Sequence, residues 1–245
     1  MAEVKVPRFM ISAPGSGSGK TTIVCGLLKA LMEKGLSVAA FKSGPDYIDP
    51  MFHSRVIGAK ARNLDLFMLG QATTRYLVAK NARHADVAVF EGAMGFYDGM
   101  GKTTEASAYE LACTCDVPVV LIVNSKGAAL SIAATIKGFK EFRSDSYIVG
   151  AILNNVNPMS YLFYKDVIER ETGVKLLGYF PVMQDCNFES RHLGLVTAEE
   201  IGDLQQIVAK LAAQAAKSVD LVQQFHQVIV EVVRLLRALS CPDDE

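Results

Sequence analysis

A three-layer α/β architecture, a mostly parallel sheet with helices on both faces, is predicted for this 245-residue chain by three observations. Short runs dense in Val, Ile, Leu and Ala recur along the chain, as strands covered on both sides require. Helix-forming stretches separate them, the alternation of a parallel sheet wrapped by helices. Polar or glycine-rich clusters follow directly after the runs, where the ligands of such sheets bind.

The first run, "RFMIS", leads into "APGSGSGKTT" and a helical stretch near 20–34. The second, "SVAAFK", opens into "KSGPDYIDP", and a helical stretch spans about 64–83. The third, "DVAVFE", is followed by "EGAMGFYDG" and a helix near 105–114; the fourth, "VPVVLIVN", by "NSKG" and a helix near 128–142. The fifth, "YIVGAILNNV", runs into "NNVNP" and a helix near 160–171, and the sixth, "KLLGYFP", into "PVMQD". No Pro/Ser/Gly-rich linker divides the chain, so one domain over 1–218 is expected, with a C-terminal helix and tail over 219–245. Leu221, Phe225, Val228, Val232, Leu235 and Leu239 write one apolar seam on that helix. Such a seam must be covered, by the chain's own domain, by a second copy in a homodimer or by another partner.

Composition narrows the function. Twenty-five basic against 26 acidic residues leave a formal charge of −1, which argues against nucleic acid as a partner. The five cysteines are scattered, and Cys113 and Cys115 have the wrong spacing for a metal or redox pair, so reduced and buried thiols are expected. The N-terminus lacks the pattern of a secretory signal. No apolar run approaches the ~18 residues of a membrane span. A cytoplasmic protein with no membrane partner is the expectation.

The glycine-rich stretch after the first run carries the chemistry. A strand, a flexible turn and a helix opening at Gly19-Lys20-Thr21-Thr22 form a cradle of backbone N–H groups around one anion. Gly15, Ser16, Gly17, Ser18, Gly19, Lys20, Thr21 and Thr22 are therefore the candidate nucleotide-binding residues. Lys20 would reach the terminal phosphates and Thr21 would offer its hydroxyl to Mg²⁺. The loop is a variant, because Pro14 stands where the strict motif has glycine. The fold expectation sharpens to a P-loop NTPase-like domain binding ATP and Mg²⁺.

Phosphate binding alone names no reaction. Asp46 and Asp49 follow the second strand and Glu91 ends the third, so all three would meet near Lys20 and Thr21 if both strands neighbour the first. Such oxygens suit Mg²⁺, which takes one or two protein carboxylates beside phosphate oxygens and water. Lys20, Asp46, Asp49 and Glu91 are the catalytic candidates, and Thr21, Asp46 and Glu91 the metal ligands. The alternative for Asp46 and Asp49 is turn chemistry, since Pro45-Asp46 and Asp49-Pro50 both favour turns.

"KSGPDYIDPMFH", "EGAMGFYDG" and "SRHLGLVTAEE", behind the variant loop, resemble the cobyrinic acid a,c-diamide synthase family, whose ATPase domain is similar to dethiobiotin synthetase. The resemblance covers about Arg8 to Leu221. It implies ATP- and Mg²⁺-dependent amidation of acetate groups on a tetrapyrrole-derived polycarboxylate, through an acyl phosphate, in cobalamin-type cofactor biosynthesis. It places Asp46, Tyr47 and Asp49 in the substrate and metal segment, Glu91 on Mg²⁺, and Arg191 and His192 near substrate carboxylates. Asn154 or Asn155 stands where relatives contact adenine. Asn124 replaces the expected Asp after the fourth strand. Lys42, with Lys126, Arg191 and His192, is a candidate cation for the anionic substrate. His53, His84 and His226 read as ordinary turn, surface or helix-face residues.

Members of that family normally continue into a glutamine amidotransferase domain, whereas this sequence stops at "CPDDE". The expectations are an isolated synthetase half, a separate glutaminase subunit, which would then be a further candidate to cover the C-terminal seam, or use of free ammonia. The competing class is a P-loop ATPase switch or a regulatory nucleotide-binding module without ligase activity. Switches of that group carry an extra lysine near position 15, where this chain has Gly15.

Overall fold

The computed structural model describes residues 6–46, 48–186 and 198–219. The first strand, β1 (Arg8–Ser12), feeds the glycine-rich loop and helix α1 (Lys20–Glu33). Strand β2 (Val38–Ser43) is followed by the short helix α2 (Ile48–Phe52), a π-helical turn (His53–Ile57) and strand β3 (Lys60–Leu64). Helix α3 (Leu66–Ala82), strand β4 (Val87–Glu91), helix α4 (Ala108–Cys115) and strand β5 (Val119–Asn124) come next. Helix α5 (Ser131–Glu141), strand β6 (Ile148–Asn154), helix α6 (Pro158–Thr172), strand β7 (Lys175–Phe180) and helix α7 (Ala198–Ser218) complete the order.

The seven strands form one sheet in the order β3-β2-β4-β1-β5-β6-β7, and every adjacent pair is parallel. Strands buried on both faces need no polar alternation, which is why β1, β2, β4 and β5 read as near-continuous apolar runs. Along β1, Phe9 and Ile11 face one layer and Met10 the other. The first layer holds α1 and α7 through Ile23, Val24, Leu27, Leu28, Val208 and Ala212. The second holds α3 to α6 through Leu66, Val78, Leu111, Ile132, Ile136 and Ile168. Each such side chain contributes about 1.5–3 kcal/mol by leaving water.

Helix boundaries follow local chemistry. Asp65 caps α3 by accepting from Phe67 and Met68 N–H, and Ser107 caps α4 through Glu110 N–H. Asn157 caps α6 by accepting from Ser160 N–H, with Pro158 in the first turn and Gly173 left-handed at the end.

The structure bears out the layered parallel fold and differs from the sequence reading in three places. Strand β3 is an additional edge strand in which only Ala61 and Leu64 are buried, so its apolar run is too short to stand out. Helix α7 lies between the helix expected near 160–171 and the expected C-terminal helix, and packs on α1 so closely that a β-carbon on Gly26 would come 2.9 Å from the Leu211 carbonyl oxygen. The strand carrying Asp46 and Asp49 at its tip does not neighbour β1: β4 lies between them. The expected C-terminal helix and its seam lie outside the described residues, apart from Val219, which bridges Gly178 of β7. Among the described residues no helix is long and apolar enough to cross a membrane.

Candidate functional site

The loop between β1 and α1 turns on two left-handed glycines, Gly17 at φ 75° and Gly19 at φ 91°, conformations a β-carbon disfavours. Gly19 also has no room for a side chain, because the Asn154 amide occupies that space and donates to the Ser18 carbonyl at 3.0 Å. The Ser18 hydroxyl donates to the Gly15 carbonyl at 2.8 Å, closing the turn. Helix α1 opens without any side-chain cap and without an acidic residue in its first turn, which suits its N–H groups to an anion.

Lys20 is buried, and its ammonium donates to the Gly15 carbonyl at 3.1 Å and the Met94 carbonyl at 2.5 Å. Met94 holds this position with φ 51°, a left-handed conformation unusual outside glycine. Among the described residues no carboxylate lies within ion-pair distance of Lys20. Burial, and after it the charge of Lys42, lower its pKa. A buried ammonium held only by carbonyls fits an anionic ligand.

Beside it, four side chains from four elements meet. The Thr21 hydroxyl donates to Glu91 Oε1 at 2.7 Å and lies 3.4 Å from Asp49 Oδ2. Lys42 Nζ stands 2.6 Å from Asp49 Oδ2 and 2.8 Å from Glu91 Oε1, with Asp46 Oδ2 further off at 3.8 Å. Burial would pull the Lys42 ammonium down, yet Glu91 and Asp49 hold it above the ordinary lysine range. Burial would likewise raise the Glu91 carboxyl, but Lys42, His53 and the Thr21 bond keep it below the usual carboxylate range. Lys42 and Glu91 are register partners on adjacent parallel strands, so they project side by side from one face.

Lys20, Thr21, Lys42, Asp49 and Glu91 are thus brought together although β4 separates β2 from β1. Asp46 stays at the rim: its Oδ1 accepts from Ile48 N–H at 2.9 Å and Asp49 N–H at 3.3 Å, an Asx turn that opens α2. Ser16 is exposed, and Thr22 lies in the first turn of α1. Asn155, at φ 58°, donates to the Asn124 side chain at 3.1 Å at the tips of β6 and β5. Lys126 is exposed on the loop after β5. Tyr47, Arg191 and His192 lie outside the described residues.

Among the described residues no three His, Cys, Asp or Glu side chains gather as a self-sufficient metal cluster. The Thr21 hydroxyl and the Glu91 carboxylate nevertheless fit a magnesium ion completed by phosphate oxygens and water. Glu91 Oε1 faces the Thr21 hydroxyl at that point, whereas Oε2, buried and without a hydrogen-bond partner among the described residues, lies on the side of His53.

Sequence reasoning missed the Met94 carbonyl and His53. The first carries no side-chain signal. The second was legible as spacing, since His53 follows Asp49 by four residues and so shares a face of a helical turn with it.

A parallel sheet, a glycine cradle opening a helix and a buried lysine at its mouth define the class: a nucleotide-binding α/β domain of the P-loop kind. The profile described as "CobQ/CobB/MinD/ParA nucleotide binding domain" matches residues 9–195, and the chain belongs to that family. It is 39% identical over 238 residues to the cobyrinate a,c-diamide synthase of Thermoplasma volcanium, covering 97% of this chain and 51% of that protein. The protein of the same name from Clostridium acetobutylicum is 41% identical over 204 residues (82% and 46%), and that of Salmonella typhimurium 40% over 218 residues (86% and 47%). The chain therefore spans about half the length of these relatives. In fold it resembles chloroplast FtsY from Physcomitrella patens, with TM-score 0.54 and 11% identity over 84% of this chain and 66% of that one. It also resembles the MinC:MinD cell division protein complex of Aquifex aeolicus, with TM-score 0.51 and 14% identity over 98% and 99%.

Proposed function

We propose that this chain is the ATP-binding half of a carbon–nitrogen ligase of the cobyrinate a,c-diamide synthase type, converting acetate carboxylates of a corrinoid or related tetrapyrrole acid into amides. The observation that carries this reading is the convergence of Thr21, Lys42, Asp49 and Glu91 beside Lys20, in a chain about 40% identical to proteins of that name. A lone phosphate loop needs no such neighbours. The domain division proposed is 1–218 for binding and amidation and 219–245 for a C-terminal helix and tail.

Residues 15–22 hold the phosphates of ATP, with Lys20 on the terminal ones; Asn154 acts through Ser18, and Asn155 faces the base. Thr21 and Glu91, with Asp46 at the rim, would hold Mg²⁺, which when bound would spread the charge of the triphosphate. A substrate carboxylate oxygen attacks the γ-phosphorus in line, the bond to the β-phosphate oxygen breaks, and ADP leaves. Ammonia then attacks the acyl carbon of the resulting acyl phosphate. The carbon–oxygen bond breaks, inorganic phosphate departs and the nitrogen sheds a proton, for which Asp49 is the acceptor. Lys42, Tyr47, Arg191 and His192 bind the acid. The nitrogen comes from glutamine, through a glutaminase in a further domain or a separate subunit, or from free ammonia.

Mass spectrometry of candidate macrocyclic acids incubated with the chain, Mg-ATP and ammonium tests the reading. Conversion of an acid to its amide with matching ADP release is the expected result. ADP release indifferent to every tetrapyrrole acid would overturn it in favour of a switch or regulatory module.

A further inference from the structure

The segment after β2 returns to the sheet through α2 and the π-helical turn, and this return carries His53 beneath the Glu91 carboxylate. His53 is 2% exposed and Glu91 1%. The imidazole Nε2 stands 3.5 Å from Glu91 Oε2, and among the described residues neither atom has a hydrogen-bond partner. Leaving two such atoms unserved costs about 1–3 kcal/mol each, so the pair calls for a physical reason.

The two oxygens of Glu91 have separate surroundings. Oε1 accepts from Thr21 and Lys42, whereas Oε2 lies 3.5 Å from His53 Nε2. A carboxylate only accepts, so an imidazole can serve Oε2 only with a proton on Nε2. The histidine is also held from behind: its carbonyl accepts from Gly58 N–H and, at 3.0 Å, from Ala59 N–H. Single π-helical turns of this kind occur frequently at functional sites.

We propose that His53 is a positioning residue for Glu91, whose Nε2–H takes Oε2 and fixes the carboxylate plane so that Oε1 faces the Thr21 hydroxyl, where the divalent cation of the nucleotide is held. The inference rests on the reading of Glu91 as a cation-holding carboxylate. His53 and Lys42 thereby have different effects on one side chain: Lys42 compensates its charge, and His53 orients it. Partners of this kind behind a metal ligand are worth about 10–100-fold in metal affinity.

Two neutral amides test the geometry. His53→Gln places an N–H at a reach comparable to Nε2, and His53→Asn falls short of Oε2. The readout is the Mg²⁺ concentration giving half-maximal binding of a fluorescent, non-hydrolysable ATP analogue to the full chain, with melting temperatures alongside. His53→Asn should raise it about 10-fold or more, and His53→Gln should stay within about 3-fold of the unaltered protein. An Asn variant with the unaltered Mg²⁺ requirement overturns the inference, as does a Gln variant as impaired as the Asn one. Nitrogen-15 spectra of the unaltered protein supply a check independent of folding in the variants. A proton on Nε2 of His53 is expected, and the Nδ1–H tautomer, with Nε2 bare, overturns the inference. Analogue binding indifferent to Mg²⁺ in the unaltered protein would overturn the cation reading and this inference together. Mg²⁺-dependent binding without amidation of any acid would overturn the amidation reading alone.

Discussion

The Asn154 side-chain amide donates a 3.0 Å hydrogen bond to the Ser18 carbonyl, tying the tip of β6 to the phosphate loop across 136 residues of sequence. The amide also fills the space a β-carbon on Gly19 would need. Gly19→Ala should therefore fail twice, by collision with Asn154 and by backbone strain of about 1–3 kcal/mol at φ 91°. Titration with a fluorescent ATP analogue should show at least about a 10-fold loss, a step worth about 1.4 kcal/mol. Adding Asn154→Ala should recover only part of it, because the collision goes and the strain stays. Unaltered affinity in Gly19→Ala would refute the account of the loop.

Lys42 is the cation that makes two buried carboxylates tolerable. Lys42→Met should destabilise the fold at neutral pH by about 3–5 kcal/mol, the usual result of stranding one partner of a buried pair. The pH dependence should also change sign. In the unaltered protein the lowered Glu91 carboxyl contributes stability that is complete above the unfolded value, ~4.3, and is lost as pH falls through the lowered one. Without Lys42, burial dominates and raises that carboxyl, so the deficit should shrink on acidification. Urea unfolding of both proteins across the acid range checks this. A deficit independent of pH would show that Glu91 is not the stranded charge.

Glu91→Gln keeps the shape of the side chain and removes its charge. Mg²⁺-dependent ATP turnover should fall about 100-fold, or roughly 2.7 kcal/mol of barrier. Thr21→Ala, which deletes the 2.7 Å bond to Glu91, should raise the Mg²⁺ requirement in the same direction. Initial rates over a Mg²⁺ series separate the two effects, and full activity in Glu91→Gln would remove it from the site.

Gly26 is where α1 and α7 come closest. A β-carbon there would lie 2.9 Å from the Leu211 carbonyl oxygen, a backbone atom with little freedom to retreat. Gly26→Ala should cost about 1–3 kcal/mol despite the better helix propensity of alanine. A thermal melt measures it, and an unchanged or raised midpoint would mean that α7 yields without loss.

Six of the seven strands were legible because a strand buried on both faces announces itself as an apolar run. Strand β3 does not, since Lys60 and Arg62 flank Ala61, and Leu64 points into the opposite layer. Helix α7 was present as a period, with Val208, Leu211, Ala212 and Ala215 recurring at steps of three and four, but among so many alanines the stripe is faint. The phosphate loop was readable because its chemistry is local. The cluster around Glu91 was readable only as a list of residues, because the strand order that assembles it is not written in any short segment. The conditional placement of β2 beside β1 shows this: the residues converge, but with β4 between them. His53 escaped because its meaning depends on an oxygen 38 residues ahead in the sequence.

The register that sets Lys42 opposite Glu91 also has a consequence during folding. A slip of one residue between β2 and β4 would turn either the lysine or the glutamate into an apolar layer with no counter-charge. The ion pair therefore acts as a proofreading mark on the ladder: misaligned sheets carry an isolated buried charge, and only the aligned one can close over its site.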